Sequence, residues 1–173
     1  MRIQDQVTAL ANPNTEMHLE YLADRPQFIP TLARWHHEEW GYLRPGDSVE
    51  ARILRLQGWC GREIVRLTVI AVSDDELLGS ASLIEHDMDS RLELTPWLAG
   101  VFVTPEHRRK GIGAALILRI MDEARALHIS KLYLYTVDST AFYANLGWSV
   151  LEHTAYRGKD VLVMSYSTIA TKP

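Results

Sequence analysis

Apolar residues recur along this chain with two periods, and the switches between them outline the elements. Met17–Leu22 reads as a short first strand. Over Pro26–Trp40 the spacing becomes helical, with Phe28, Leu32, Trp35 and Glu39 at near-helical intervals and Gly41 where a C-cap belongs. Arg44-Pro45-Gly46 turns, and Ser48 is placed to cap a second helix over Val49–Gln57, without the acid at Ala51 that would complete a capping box. A period of two then takes over. Ile64–Val72 alternates and is β-branched, Ser73-Asp74-Asp75-Glu76 turns, and Leu77–Glu85 returns. Polar His86–Glu93 reads as an exposed connection to a fourth strand, Leu94–Val103, with Pro96 confined to its start.

Helical spacing returns after Gly113. Leu116, Ile117, Ile120, Met121, Ala124 and Leu127 share one face, with Arg119, Asp122 and Glu123 opposite. Leu132–Thr136 is a fifth strand, parallel to the fourth through a right-handed crossover. Asp138 or Ser139 caps a short helix, Thr140–Leu146, closed by Gly147. Trp148–His153 and Val161–Ser167 close the chain around a turn at Arg157–Asp160. Residues 1–15, with the turn cluster Asn12-Pro13-Asn14, are a loose lead-in, and 168–173 a frayed tail. The sum is a single α/β domain over 1–173: a mixed seven-stranded sheet with four helices.

Composition narrows the function classes. A net charge of −4 argues against a nucleic-acid binder, which carries a basic stripe. Cys60 is the only cysteine, so no internal disulfide forms and nothing points to an oxidising compartment. No apolar run approaches the ~18 residues of a membrane span, and the N-terminus lacks an apolar signal core. A cytoplasmic protein without membrane partners, monomer or homodimer, is the expectation. His36-His37-Glu38-Glu39 does not read as a metal site. A zinc-protease helix needs its histidines one turn apart, whereas adjacent ones point about 100° apart. A polar helix face beside Trp35 and Trp40 is the simpler reading.

The chemistry concentrates in Val101–Leu116. Val101, Phe102 and Val103 form a strand end that Pro105 stops, and Arg108, Arg109 and Lys110 precede two glycines and a helix start. First-turn N–H groups are unpaired there and the helix dipole is positive, so the loop is suited to phosphate. Glycine lets a diphosphate approach the backbone, and the cations add charge. A P-loop needs Lys-Ser/Thr after its second glycine, where Ala114 and Ala115 stand; a dinucleotide fingerprint needs a third glycine, where Leu116 stands. Neither fits.

What fits is Arg108-x-x-Gly111-x-Gly113 behind a Val-x-Val-x-Pro strand, which resembles the coenzyme A pyrophosphate loop of the GNAT N-acetyltransferase family. A second segment, Ala141-Phe142-Tyr143-Ala144-Asn145-Leu146-Gly147-Trp148, resembles the family's Phe-Tyr-x-x-x-Gly-Phe/Tyr. The likeness covers roughly Leu77–Tyr166, and residues 134–143 look most like a small bacterial branch and the related actin N-terminal acetyltransferases.

The resemblance implies a mostly antiparallel sheet with a splayed parallel pair of fourth and fifth strands. It implies acetyl-CoA as co-substrate, no metal, and acetyl transfer to a primary amine, of a small molecule or a peptide N-terminus, by direct attack in a ternary complex. Cofactor contacts fall on Val101, Phe102, Val103, Arg108, Arg109, Lys110, Gly111, Ile112, Gly113 and Ala114, and the acceptor site near the first two helices. Trp35, Glu38, Glu39 and Trp40 there suit a cationic amine, with Glu39 and Trp40 as the named contacts. Glycine inside a strand often marks a bulge, so Gly100 agrees with the family's bulged fourth strand, whose free N–H holds the thioester carbonyl. Tyr143 is the expected general acid, with Phe142 the core residue beside it.

Two departures stand out. The fourth strand carries no Glu or Asp, although many relatives place their base there, and Asp138-Ser139-Thr140 replaces a common asparagine. Glu85, ending the third strand, is the candidate base, with His86 and Asp87 as its neighbours in the chain. The competing readings are an acyl-CoA-binding module without turnover, as sensor or scaffold, and a nucleotide-phosphate binder.

Overall fold

A computed structural model describes residues 16–169, so the lead-in and the last residues of the tail lie outside the described residues. In chain order the elements are β1 (Met17–Tyr21), α1 (Ile29–Trp40), α2 (Val49–Gly58), β2 (Leu67–Ser73), β3 (Glu76–Ile84), β4 (Trp97–Val103), α3 (Ile112–Ala126), β5 (Lys131–Thr136), α4 (Thr140–Asn145), β6 (Ser149–Tyr156) and β7 (Lys159–Ser167). The seven strands form one sheet in the order β1-β2-β3-β4-β5-β7-β6. Every neighbouring pair is antiparallel except β4 and β5.

Alternation along the strands decides which helix covers which face. Val69, Ala71, Leu78, Ala81 and Leu83 point to one side, against Leu116, Ile117, Ile120, Met121 and Ala124 of α3. Ile70, Val72 and Leu77 point to the other, against Leu32 and Ala33 of α1 and Leu56 of α2. Beyond the reach of α1 and α2, that second face continues over β4, β5 and β7 as a separate cluster of Ile84, Met88, Trp97, Ala99, Tyr156, Val161 and Val163. Each large apolar side chain so buried contributes about 1.5–3 kcal/mol relative to exposure.

The β4/β5 pair is splayed, as expected. Its register holds at one position, Trp97 opposite Tyr133, and the strands then part. The Gly100 bulge is present as well. Ser80 faces Phe102 but Ser82 faces Ala99, so Ala81 stands opposite two residues, Gly100 and Val101. Gly100 takes a φ of +59°, in the left-handed region. A buried chain of hydrogen bonds holds it: Ser80 Oγ donates to the Gly100 carbonyl at 2.8 Å, and His36 Nε2 lies 2.9 Å from Ser80 Oγ. With the serine proton spent on Gly100, the histidine is the donor.

Several expectations need correction. His36 is buried in the sheet-facing side of α1, not on a polar face. Burial, helped by Arg52 and Arg55, lowers its pKa to about 3, so it stays neutral. The strand expected from Ile64 begins at Leu67, because Glu63 and Arg66 have positive φ and Gly61 N–H closes the loop onto Arg66 O at 2.9 Å. Gly41 is the C-cap of α1, as expected, and in a right-handed conformation it leads on into a 3-10 turn. Neither Asp138 nor Ser139 caps α4 through its side chain; Thr136 Oγ1 takes the Ser139 N–H instead. The β6–β7 turn shrinks to Arg157-Gly158, both with positive φ, and both strands lengthen. Glu123, expected on the solvated face of α3, is buried, accepting from Tyr21 Oη at 2.8 Å and Arg119 Nε at 2.7 Å. The tail is pinned at Thr168, whose N–H bonds Ser130 O and whose hydroxyl bonds Ile129 O.

Gly79 of β3 gave no sign of its role in the sequence. A Cβ there falls 2.4 Å from the Phe102 carbonyl oxygen, a backbone atom of β4. Gly79→Ala is therefore expected to destabilise the domain by about 1–3 kcal/mol through overpacking. Denaturant unfolding checks this; an unchanged midpoint contradicts the close approach.

Candidate active site

Where β4 leaves β5, a cavity of about 550 Å³ opens between them. Leu98 and Leu134 line it from the α3 face; Ala99 and Tyr135 line it from the face of α1 and α2. Gly100 and Val101 stand at its waist, taken out of the β3–β4 ladder by the bulge. The wall of the cavity thus draws on residues of both faces of the sheet, beside a bulged backbone.

On the α3 side the loop after β4 has the predicted form. Arg109 and Gly111 both take positive φ, 62° and 82°, and Gly111 is the N-cap of α3. Ala115 N–H already returns to Gly111 O, which leaves the N–H groups of Ile112, Gly113 and Ala114 outside the helical ladder and facing the loop. Arg109 and Lys110 are exposed and make no ion pair among the described residues. These groups fit a diphosphate. Arg108 is more committed: its Nε donates to Val103 O at 2.9 Å, its guanidinium lies over Phe102, and Nη2 is 3.6 Å from Glu39. Val101 lines the cavity, whereas Phe102 is buried against Trp35 and Trp40, and Val103 sits under the helix start near Gly113. A Gly111→Val chain has to hold a β-branched residue at φ 82°, costing roughly 1–2 kcal/mol, in the loop whose backbone suits a diphosphate. Coenzyme A affinity measured by calorimetry should fall at least tenfold while circular dichroism stays folded. Unchanged affinity in the folded variant removes this assignment.

Tyr143 lines the cavity beside Asp138 and Ser139. It is half-buried, and burial, reinforced by the Asp138 charge, raises its pKa to about 12. The expected burial of the two neighbours is reversed, although Tyr143 still lines the cavity. Phe142 is 40% exposed and lies over Gly113, its ring tip 3.6 Å from where a Cβ would stand, while Tyr143 packs on the core.

Glu85 is not in the cavity. It is exposed, and Arg66 Nη2 holds it at 2.9 Å. The connection after it folds inward, not outward, because Met88 is fully buried in the second-face cluster. That brings His86 and Asp87 to the cavity wall. Asp87 is half-buried, and desolvation raises its pKa to about 6, with Arg44, Arg55, Arg157 and Arg52 pulling the other way. Tyr135, raised by burial and by the Asp87 charge, is its neighbour on β5. Glu39 and Trp40 do reach the cavity, but Trp35 stacks on Phe102 at 5.6 Å and Glu38 is not part of the wall. Cys60 is half-buried against α1 and α2, and burial raises its thiol. Among the described residues, no group of histidine, cysteine, aspartate and glutamate is arranged to hold a metal, and no helix is long and apolar enough to cross a membrane.

A splayed parallel pair bulged at its waist, beside a glycine-marked helix start, is the architecture of acyltransferases that draw on coenzyme A thioesters. Comparison with known proteins agrees. The Acetyltransferase (GNAT) family matches residues 29–148, so the chain belongs to that family, whose enzymes use acetyl-CoA as co-substrate. Solved structures share the fold at low identity. An aminoglycoside 6'-acetyltransferase type Ii is 20% identical with a TM-score of 0.69, the match covering 90% of this chain and 99% of that one. A putative GNAT-family acetyltransferase from Desulfovibrio desulfuricans is 21% identical with a TM-score of 0.66, over 89% of this chain and 100% of that one. A putative acetyltransferase from Salmonella typhimurium with its cofactor acetyl-CoA is 16% identical with a TM-score of 0.66, over 91% and 96%. No curated protein matches the sequence.

Proposed function

We propose that this acetyltransferase moves the acetyl group of acetyl-CoA onto a primary amine, of a small molecule or a peptide N-terminus, by direct attack in a ternary complex. The observation that carries the reading is a cavity lined by residues of both sheet faces at the Gly100 bulge. The helix start at Ile112–Ala114, with Arg109 and Lys110, holds the diphosphate. A backbone N–H freed by the bulge donates to the thioester carbonyl, whose oxygen gains charge as the bond forms.

Asp87 replaces Glu85 as the proton acceptor: it lines the cavity, and above pH 6 its carboxylate is free to take a proton from the incoming ammonium. The amine nitrogen then bonds to the carbonyl carbon and the carbon–sulfur bond breaks. Tyr143 donates a hydrogen bond to the sulfur as its charge develops. With a pKa near 12 against about 8.5 for a thiol, handing the proton over outright runs uphill, so the thiolate leaves hydrogen-bonded to Tyr143 and is protonated by the second proton that the new amide nitrogen sheds, relayed through solvent. Initial rates with both substrates varied test this order of events. Direct attack gives intersecting reciprocal plots; parallel lines, the mark of an acyl-enzyme, contradict it.

A further inference from the structure

The acceptor half of the cavity is strongly cationic. Arg44, Arg52, Arg55, Arg157 and Lys159 line it, and the acids on that side are Glu39 and Asp87. Several of these charges are already matched. Arg52 Nε meets Asp47 Oδ2 at 2.7 Å, Arg157 Nη2 meets Asp89 at 3.2 Å, and Glu39 is drawn to Arg108. Three cations remain. Arg44 has no ion pair among the described residues, and Lys159 has only the Tyr42 ring, 5.8 Å away. Arg55 Nη1 stands 3.8 Å from Asp47 Oδ1, on a carboxylate whose other oxygen already serves Arg52 and His37.

Arg55 is the telling member. Its side chain is only 24% exposed, and burial together with the charges of Arg44 and Arg52 lowers its pKa. Like charges gathered in a recess out of bulk water repel more strongly than on a surface, and fold and family alone do not require them there. Asp87 is one carboxylate for three cations. The three come from separate parts of the chain, the α1–α2 connection, α2 and the start of β7, and converge only on this wall.

We infer that the acceptor is an amine that itself carries an anionic group, a carboxylate or a phosphate, seated at Arg44 and Arg55 with Lys159 at the mouth, while its amino group lies toward Asp87. The inference rests on the acetyltransferase reading above and names the substrate class of that site. It moves the ammonium from between Trp40 and Glu39 to Asp87 and adds an anionic group to the acceptor. Guanidinium groups recognise both anions through paired N–H donors, so the chemistry is shared.

Two measurements separate the two ideas. Thiol release from acetyl-CoA is followed with a set of amino acids against their carboxamides, and with O-phosphoethanolamine against ethanolamine. In parallel, calorimetry in the presence of coenzyme A compares N-acetyl amino acids with N-acetyl amino-acid amides, which needs no turnover. The expected result is a preference for the anionic member of about 10- to 100-fold in either assay. Whichever pair shows the larger ratio tells carboxylate from phosphate. Lys159→Gln, at an exposed position, Arg44→Gln, at a half-buried one, and Arg55→Lys, which keeps the charge but loses the fork, should shrink that ratio while the KM for acetyl-CoA holds. Equal or better use of the uncharged members overturns the anionic acceptor and leaves acetyl transfer standing. A preference kept in calorimetry with no thiol release from any amine upholds the anion site and removes the transfer reading.

Discussion

Tyr143→Phe is expected to lower kcat by about 10²-fold while coenzyme A binds nearly as before. The substitution keeps a ring that packs on the core and removes only the hydroxyl. Burial in the cavity wall raises the Tyr143 pKa to about 12, so the group is fully protonated at any working pH and always able to donate. Its loss takes that hydroxyl donor away from the developing thiolate. Single-turnover rates with saturating acetyl-CoA check the effect on chemistry alone. A wild-type rate in the variant removes Tyr143 from the reaction and strengthens the view of a protein that binds acyl-CoA without turning it over.

Asp87→Asn is expected to cost about 10²- to 10⁴-fold in kcat/KM. The sign of the pH effect follows from its raised pKa, about 6: below that value the carboxyl is protonated and accepts nothing, so the acidic limb of the wild-type profile falls there. In the asparagine variant that limb should vanish, not shift. The same raised value makes a stability prediction. The folded carboxyl keeps its proton to a higher pH than the unfolded one, at about 3.9, so its contribution is fully present below about pH 4 and lost as pH rises to about 6. Glu85→Gln, by contrast, should leave the profile unchanged, since Glu85 is exposed and paired to Arg66.

What could be read from the sequence was whatever is encoded locally. The Gly111-x-Gly113 helix start and the Gly100 bulge each depend on backbone freedom at one residue, and both stand where the residue types put them. The crossover from β4 to β5 followed from the helix between two strands. What could not be read depends on docking. Six residues make α4, too short for its periodicity to say whether Phe142 or Tyr143 faces inward. The polar run after Glu85 looked like an outer loop because Met88, its single anchor, is one apolar residue among acids. His36 looked polar on its helix, and only the Ser80–Gly100 chain beneath it explains its burial. The cations at 44, 55 and 159 have no common motif at all; a loop, a helix and a strand far apart in the chain bring them together.

The most direct test of the account is acetyl transfer with the acetyl carbon of acetyl-CoA isotopically labelled, followed by mass spectrometry of both the amine and the protein. The account predicts label on the amine nitrogen, equal in amount to the thiol released, with the protein, Cys60 included, unlabelled throughout. Label held on the protein, or thiol released without an N-acetylated amine, would contradict it.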